Sequence, residues 1–240
     1  VILSQKGWIR AAKGHEIDAA QVSYKAGDAL QQRLLAKSNQ SVLLVDSTGR
    51  AYTLPIHTLP SARGQGEPVT GRVTSPPNAV FTGMLLASKT EHAVLLSSSG
   101  YGFTVATEEL VGKNRQGKTA LKVPEGGVAL PPIGFAAEER ANLYLGLLTT
   151  ARRLLIVPLA DVTELTKGKG SKLITAKTDP VIWAGCFTKK MLLNILIPGR
   201  KRAQPTWAFK DWRSYIGTPG GRGEKLPKGC EKAEIEVAVT

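Results

Sequence analysis

The chain has 240 residues, of which 42% are hydrophobic, so it is long enough to bury a substantial core. No apolar run approaches the ~20 residues that a transmembrane helix requires, and the N-terminus lacks a signal-peptide pattern. The 32 Lys and Arg residues against 19 Asp and Glu leave a formal charge of +13, which favours a polyanionic partner such as DNA, RNA or an anionic membrane surface.

Pairs of short strands joined by a tight turn recur along the chain. The first predicted strand is Val1-Ile2-Leu3, and because the chain opens within a strand and without a Met we expect a fragment of a longer protein. The turn positions are Gly7, Gly49, Gly100, Arg152 and Gly199, with spacings of 42, 51, 52 and 47 residues. Glycine tolerates the positive φ that tight hairpins require. This regular spacing indicates an array of repeated structural units.

Each unit continues with the same elements in the same order. Short apolar runs bounded by Gly, Pro and Ser lead into the turns at 42–45, 94–96, 145–148 and 192–197, which is typical of strands. The connectors 107–111 and 160–165 are predicted to form one helical turn each, and the pattern contains no long amphipathic helix. We therefore predict an all-β fold, a propeller-like ring of about five four-stranded blades in which residues 1–240 form a single domain.

A loop rich in Gly, Lys and Arg follows the return strand of four units, at 63–66, 113–118, 167–172 and 220–225. Equivalent positions in a ring would place these loops along one rim, where Lys and Arg supply charge and Gly lets the backbone approach a phosphate. Such a rim is expected to bind duplex DNA by counterion release with little sequence preference, and its curvature favours bent DNA. The residues predicted to bind DNA are Arg10, Lys13, Arg63, Lys113, Arg115, Lys118, Lys167, Lys169, Lys172, Arg200, Arg222 and Lys225.

The octapeptide at 112–119, GKNRQGKT, matches the Walker A pattern of phosphate-binding loops. That motif works between a buried strand and a helix whose N-terminus faces the phosphates. Here Pro124 follows so closely that the helix has no room, and no Walker B strand stands out. We interpret the match as the basic loop of one repeat and predict no nucleotide cofactor.

Few patterns suggest catalysis or metal binding. His15, His57 and His92 have no carboxylate or Cys at metal-ligand spacing, so neither a metal site nor a catalytic residue is predicted. Cys186 and Cys230 belong to no CxxC pair and are typical of a reduced cytosolic compartment. Aromatic residues, at 6%, are not interleaved with the basic loops, which argues against a stacking platform for single strands. The aromatic cluster predicted to pack in the core is Trp207, Phe209, Trp212 and Tyr215.

Several segments together resemble one known family. They are Gly7-Trp-Ile-Arg10, Lys13-Gly-His-Glu-Ile-Asp18, Tyr24-Lys-Ala-Gly-Asp28, Lys37-Ser-Asn39, Val45-Asp-Ser-Thr-Gly-Arg50, Thr58-Leu-Pro-Ser-Ala-Arg-Gly-Gln-Gly-Glu-Pro68, Gly100-Tyr-Gly-Phe103, Asn114-Arg-Gln-Gly-Lys118 and Leu165-Thr-Lys-Gly-Lys-Gly170. Through about residue 175 the chain is similar to the C-terminal domain of the A subunit of bacterial DNA topoisomerase IV, and the period continues more loosely to the end. The resemblance implies a β-pinwheel, a propeller-like ring whose blades exchange strands.

The resemblance also implies a role without catalysis in this chain, because the strand-cleaving Tyr and the Mg-binding and ATPase parts of the family belong to other regions. The domain would bind and bend a second duplex segment and direct an ATP-dependent topoisomerase of the cytoplasm towards decatenation and relaxation. Its partners would be duplex DNA and, in the parent heterotetramer, the core of the A subunit together with the B subunit, with no membrane. A condensin-type chromosome-organising protein is a further partner known for some family members.

The sister family, which comprises the gyrase A subunits, carries a box of the form Gln-(Arg/Lys)-Arg-Gly-Gly-(Arg/Lys)-Gly that anchors DNA wrapping. The nearest approach here is 220–223, but Gly217-Thr-Pro219 stand where Gln and two basic residues would be, so we expect no gyrase-like tight wrapping. An alternative stays open at this point: a protein-interaction propeller whose basic rim docks an acidic or chromosome-organising partner.

Overall fold

The computed structural model describes residues 1–14, 17–18, 22–89, 91–176, 178–199 and 203–238. Across these ranges the chain forms short β-strands and one turn of α-helix, Phe209–Trp212. The two predicted helical connectors are 3-10 turns at Thr107–Leu110 and Leu159–Asp161. No helix in the described ranges is long and apolar enough to cross a membrane.

The strands form five antiparallel sheets, here called blades 1 to 5. From one edge to the other, blade 1 consists of β3 (Leu30–Arg33), β1 (Ile2–Ser4), β2 (Trp8–Arg10) and β6 (Glu67–Pro68). Blade 2 consists of β7 (Phe81–Ala87), β4 (Ser41–Asp46), β5 (Arg50–Pro55) and β10 (Lys118–Thr119). Blade 3 consists of β11 (Ile133–Ala136), β8 (Glu91–Leu96), β9 (Tyr101–Ala106) and β14 (Ser171–Lys172).

The last two blades follow the same plan with one difference. Blade 4 consists of β15 (Val181–Thr188), β12 (Leu143–Thr149), β13 (Arg153–Pro158) and β18 (Glu224–Lys225). Blade 5 has three strands in the described residues, β19 (Glu234–Ala238), β16 (Leu192–Leu196) and β17 (Thr206–Trp207). The predicted all-β, five-bladed, propeller-like arrangement is confirmed.

Four blades are completed by a strand from the next unit of the chain. The strand β10, for example, joins blade 2 only after the chain has built β8 and β9 of blade 3. The strands β6, β14 and β18 complete blades 1, 3 and 4 in the same way. The blades therefore exchange strands, as the resemblance implied.

The two edges of each blade face different surroundings. The strands β3, β7, β11, β15 and β19 contact one another in succession, so they lie towards the centre of the ring. The exchanged strands β6, β10, β14 and β18 are at the opposite edge of their sheets and so lie on the periphery. Between described residues, no backbone hydrogen bond joins blade 1 to blade 5.

All five predicted turn positions have the positive φ that the repeat requires, Gly7 at 75°, Gly49 at 85°, Gly100 at 81°, Arg152 at 56° and Gly199 at 75°. Arg152 is the exception to glycine, and its guanidinium donates to the carbonyl oxygens of Glu231 (2.8 Å) and Ala233 (3.0 Å). These two bonds tie blade 4 to the chain entering β19, and they help to offset the strain of a left-handed backbone at a residue with a Cβ.

Hydrophobic clusters fill the spaces between consecutive blades. The cluster between blades 4 and 5 contains the predicted aromatic group. Trp212 is fully buried there, and the rings of Phe187 and Phe209 meet it edge-on at centroid distances of 5.2 and 4.9 Å. Trp207 and Tyr215 stack on each other at 5.5 Å. The predicted use of these aromatic residues in core packing is confirmed.

Candidate nucleic-acid interface

The four basic loops occupy equivalent places in the topology. Each one leads directly into an exchanged strand at the outer edge of the preceding blade, and we call them crossover loops 1 to 4: residues 63–66, 113–117, 167–170 and 220–223. Because the exchanged strands lie on the periphery, the loops follow one another around the outside of blades 1 to 4.

Each crossover loop contains a glycine with positive φ that lies against the blade it joins. A Cβ at Gly66, Gly117, Gly170 or Gly223 would lie 2.5, 2.5, 2.2 and 2.8 Å from the carbonyl oxygens of Ile9, Ala51, Gly102 and Leu154, respectively. The sequence led us to expect that these glycines let the backbone approach a phosphate. In the structure they let the backbone approach the neighbouring blade, so their role is to dock the exchanged strand.

Backbone hydrogen bonds join crossover loops 2 to 4 to the segment that follows the preceding exchanged strand. An equivalent bond joins the residue before crossover loop 1 to the segment that follows β2. The bonds run from Ala62 N to Ala11 O (2.9 Å), Thr74 N to Arg115 O (2.8 Å), Lys122 N to Gly168 O (2.8 Å) and Thr175 N to Gly221 O (2.8 Å). The loops are therefore parts of one hydrogen-bonded belt around the periphery and not independent turns.

Six of the predicted DNA-binding side chains are exposed and unpaired. They are Lys13, Arg63, Lys113, Lys167, Arg222 and Lys225. Within the described part of the chain these side chains form no hydrogen bond and no ion pair, whereas Arg72 and Arg140 pair with Glu67 and Glu164. Among the described residues, neither a carboxylate nor a carbonyl neutralises these six charges. Lys13 and Arg63 line one cleft, which brings the first unit next to crossover loop 1.

Three other predicted residues are engaged by the protein itself. Arg115 donates through Nε to Arg72 O (2.9 Å) and through Nη2 to Gly71 O (2.6 Å), and Lys118 Nζ donates to Glu109 O (2.5 Å). Arg10 is 2% exposed and donates through Nη1 to Gly64 O (2.7 Å). Arg10 was predicted to bind DNA, but its guanidinium is enclosed beneath crossover loop 1.

Lys169 and Lys172 share one aromatic ring. Their ammonium nitrogens lie 3.8 and 5.8 Å from the centroid of Tyr101, the residue that pairs with Lys172 across β9 and β14. Cation–π attraction holds both charges near the outer edge of blade 3. The remaining predicted residue, Arg200, lies outside the described residues.

Sequence reasoning missed two arginines that support the loops. Arg50 donates through Nε and Nη2 to Gln116 O (3.0 and 2.7 Å), and Arg153 donates through Nη1 to Gly223 O (2.9 Å). Both follow a turn position directly, at the start of the return strand. That shared register is the signal that could have found them.

The octapeptide that matches Walker A belongs to this belt. Gly112 N donates to the Thr53 hydroxyl (3.0 Å), and Lys118 and Thr119 form β10 against Ala51 and Arg50. A strand follows the loop where a nucleotide-binding site needs a helix, so the donors are committed to blade 2.

None of the family models compared with the sequence matches it. One solved structure settles the family. The E. coli ParC C-terminal domain is 37% identical, with a TM-score of 0.84, and the match covers 100% of this chain and 98% of that one. This chain belongs to the family of ParC C-terminal domains.

Curated relatives agree with membership of the ParC family. The A subunit of DNA topoisomerase 4 from Pseudomonas aeruginosa is 41% identical over 98% of this chain, and its counterpart from Escherichia coli K12 is 46% identical over 72% of it. These matches cover 31% and 23% of the two relatives, so the chain spans about a third of their length or less. The C-terminal domain of DNA gyrase A, at 11% identity and a TM-score of 0.65, shares the fold.

Proposed function

We propose that this chain is the non-catalytic DNA-binding domain from the A subunit of a topoisomerase IV. The observation that carries the proposal is the peripheral belt, in which the crossover loops present unpaired cations at equivalent places on successive blades. Each cation that contacts a DNA phosphate releases condensed counterions, which is favourable at moderate salt and independent of sequence. The belt therefore suits a duplex backbone better than a small anion.

The curvature of the belt favours a bent duplex. Phosphate contacts position DNA without reading its sequence, and successive contacts around a curved edge are satisfied together only if the helix axis curves as well. Bending a site of this kind costs about 1–6 kcal/mol, which the added contacts offset. Backbone hydrogen bonds tie crossover loops 2 to 4 to the segments that follow β6, β10 and β14, so the belt is already ordered before DNA binds.

In the parent enzyme the domain would hold the duplex segment to be transported and so favour decatenation and relaxation. Its partners there would be the core of the A subunit together with the B subunit, in the cytoplasm. Strand cleavage by a tyrosine of this chain is not part of the proposal. Tyr52 is buried against Asp46, and Tyr144 packs on Trp212. The Tyr101 ring makes cation–π contacts with two lysines. A condensin-type partner stays a prediction, as does the docking of an acidic protein on the same belt.

A titration of a fluorescent duplex with the purified domain at several salt concentrations tests the proposal. If the six unpaired cations contact phosphates, they alone give the plot of log K against log salt a slope of about −5. Two duplexes of unrelated sequence should bind equally. Binding that is absent or independent of salt would contradict the proposal. Binding of relaxed circular DNA with little change in linking number is expected, whereas a large change would indicate gyrase-like wrapping.

A further inference from the structure

A polar cleft opens beside the exchanged strand of blade 3. Its volume is about 380 Å³, and its lining includes Ser98, Ser99, Tyr101, Lys172 and Thr175. Hydroxyl groups and one ammonium therefore surround the same space. This cleft adjoins crossover loop 3 through Lys172, which is in the exchanged strand that the loop enters.

The cation of the cleft is held in position and is not paired with an acid. Lys172 lies opposite Tyr101 in the ladder between β14 and β9, and its ammonium, like that of Lys169, lies over the Tyr101 ring. No carboxylate of the described residues lies within ion-pair distance of Lys172. The charge is therefore available to a ligand at the mouth of the cleft.

The serine hydroxyls of the turn can donate to an anion. Ser98 Oγ accepts a hydrogen bond from Val128 N (3.0 Å), which leaves its own proton free to donate. The Ser99 hydroxyl has no partner among the described residues. Thr175 differs, because its hydroxyl already donates to Gly220 O (2.8 Å). One ammonium and two hydroxyl groups can therefore donate hydrogen bonds to the oxygens of a phosphate.

One carboxylate, Glu125, also lines the cleft. A phosphate bound between Lys172 and Ser99 would be repelled by Glu125, so removal of that charge should tighten binding. The effect of removing the Glu125 charge therefore depends on whether a phosphate lies inside the cleft. It distinguishes a phosphate bound in the cleft from diffuse attraction to the basic surface.

We propose that the cleft binds one backbone phosphate of duplex DNA and thereby fixes the register of the duplex on blade 3. Lys172 and the hydroxyls of Ser98 and Ser99 are the donors, and Lys169 is the neighbouring cation that widens the contact. This inference rests on the proposed function, and it assigns to the third blade a phosphate site in which one ammonium and two serine hydroxyls line the same cleft.

The test is a cycle of Lys172→Gln, Glu125→Gln and the double variant, titrated with a fluorescent 30-bp duplex. Lys172→Gln should lower the salt slope by about 0.9, the loss of one phosphate contact. Ser99→Ala should weaken binding about fivefold, the typical loss of one hydrogen bond. Glu125→Gln should tighten binding in the wild-type background and have no effect in the Lys172→Gln background, because the phosphate is then no longer held there.

A matched control is Glu138→Gln, which removes an exposed carboxylate in the 3-10 turn Ala137–Asn142, at the far end of the strands from the cleft. Its effect should be small and additive with Lys172→Gln. An equally additive effect of Glu125→Gln would overturn the proposal. Thermal unfolding of every variant shows that the fold is retained.

Lysine acetylation read by mass spectrometry distinguishes the ligand. Duplex DNA should protect Lys172 and leave Lys190 reactive, whereas inorganic phosphate at the same phosphate concentration should not protect Lys172. Protection by inorganic phosphate but not by DNA would show that the cleft binds small anions, and it would overturn the proposal that duplex DNA is the ligand. Absence of wild-type duplex binding would instead overturn the proposed function, and with it this inference.

Discussion

The hairpin turn of blade 2 and crossover loop 2 lie against each other but differ in how their charged side chains are placed. The turn holds a buried, hydrogen-bonded carboxylate, whereas the loop carries an exposed ammonium. In the turn, Asp46 is fully buried, and its Oδ1 accepts from Thr48 N (2.9 Å) and the Thr48 hydroxyl (2.7 Å). Its Oδ2 accepts from the Tyr52 hydroxyl (2.6 Å). This carboxylate is satisfied by the protein and contributes to the fold.

The loop presents charge that the protein does not satisfy. Lys113 is exposed and unpaired in the described structure, while its neighbours Arg115 and Lys118 donate to backbone carbonyls. A satisfied charge stabilises the blade, and an unsatisfied exposed one adds to the field that a polyanion meets. Substitutions in the turn should therefore change stability, and substitutions at the tip of the loop should change binding.

The largest expected effect is that of Gly49→Ala in the turn. A Cβ there would lie 2.1 Å from Leu121 O, and the Gly49 carbonyl accepts hydrogen bonds from Ala120 N and Leu121 N. The backbone must move, and the link between β10 and blade 2 is lost. We expect a loss of about 3–5 kcal/mol in the free energy of unfolding, measured by urea denaturation.

The control for that substitution is Gly229→Ala. Gly229 has a φ of 89°, close to that of Gly49, but a Cβ there would meet no atom within 4 Å. The free energy of unfolding of this variant should fall by only about 1–2 kcal/mol, which is the cost of placing an alanine in the left-handed region. Equal losses in the two variants would show that the contact with Leu121 is unimportant.

A smaller effect is expected for Tyr52→Phe. The substitution leaves Asp46 Oδ2 buried without its donor, at a cost of about 1–3 kcal/mol. Duplex affinity should not change, because neither residue reaches the surface. A parallel loss of affinity in the folded variant would contradict the separation of turn and loop.

The same pair predicts a pH dependence. Burial raises the pKa of Tyr52 above its usual range, and the hydrogen bond to Asp46 adds to this shift. Since folding favours the neutral phenol, the contribution is present below the unfolded tyrosine pKa of about 10 and is lost as pH rises above it. Between about pH 9 and about pH 11 the stability of the wild type should therefore fall more than that of Tyr52→Phe.

The repeat could be read from the sequence because each turn is a local event. Positive φ at Gly7, Gly49 and Gly100 follows from the residue type and its place between two apolar runs. The repeat also identified Arg152 as a turn position. The period also placed the basic loops at equivalent positions. Local chemistry and one repeat length were enough for this part of the fold.

The supports of the candidate site could not be read in this way, because they join residues far apart in the chain. The Arg50 guanidinium reaches Gln116 across 66 residues, and Arg153 reaches Gly223 across 70. Which strand pairs with which was implied only by family resemblance. For the same reason Arg10 looked like a surface cation, whereas crossover loop 1 encloses it.

The smallest expected effect is that of Lys113→Gln at the tip of crossover loop 2. The substitution removes one exposed charge that contacts nothing in the described structure, so the melting temperature should not change. If Lys113 contacts a phosphate, duplex affinity should fall about threefold to tenfold at 0.1 M salt and the salt slope by about 0.9. Arg115→Gln should in addition lower the melting temperature, because it removes the bonds to Gly71 O and Arg72 O. The matched control is Lys190→Gln. Lys190 is an exposed lysine beyond the end of β15 and far from the crossover loops, so its substitution should leave the salt slope unchanged. Equal slopes for Lys113→Gln and Lys190→Gln would mean that binding depends on net charge and not on the belt.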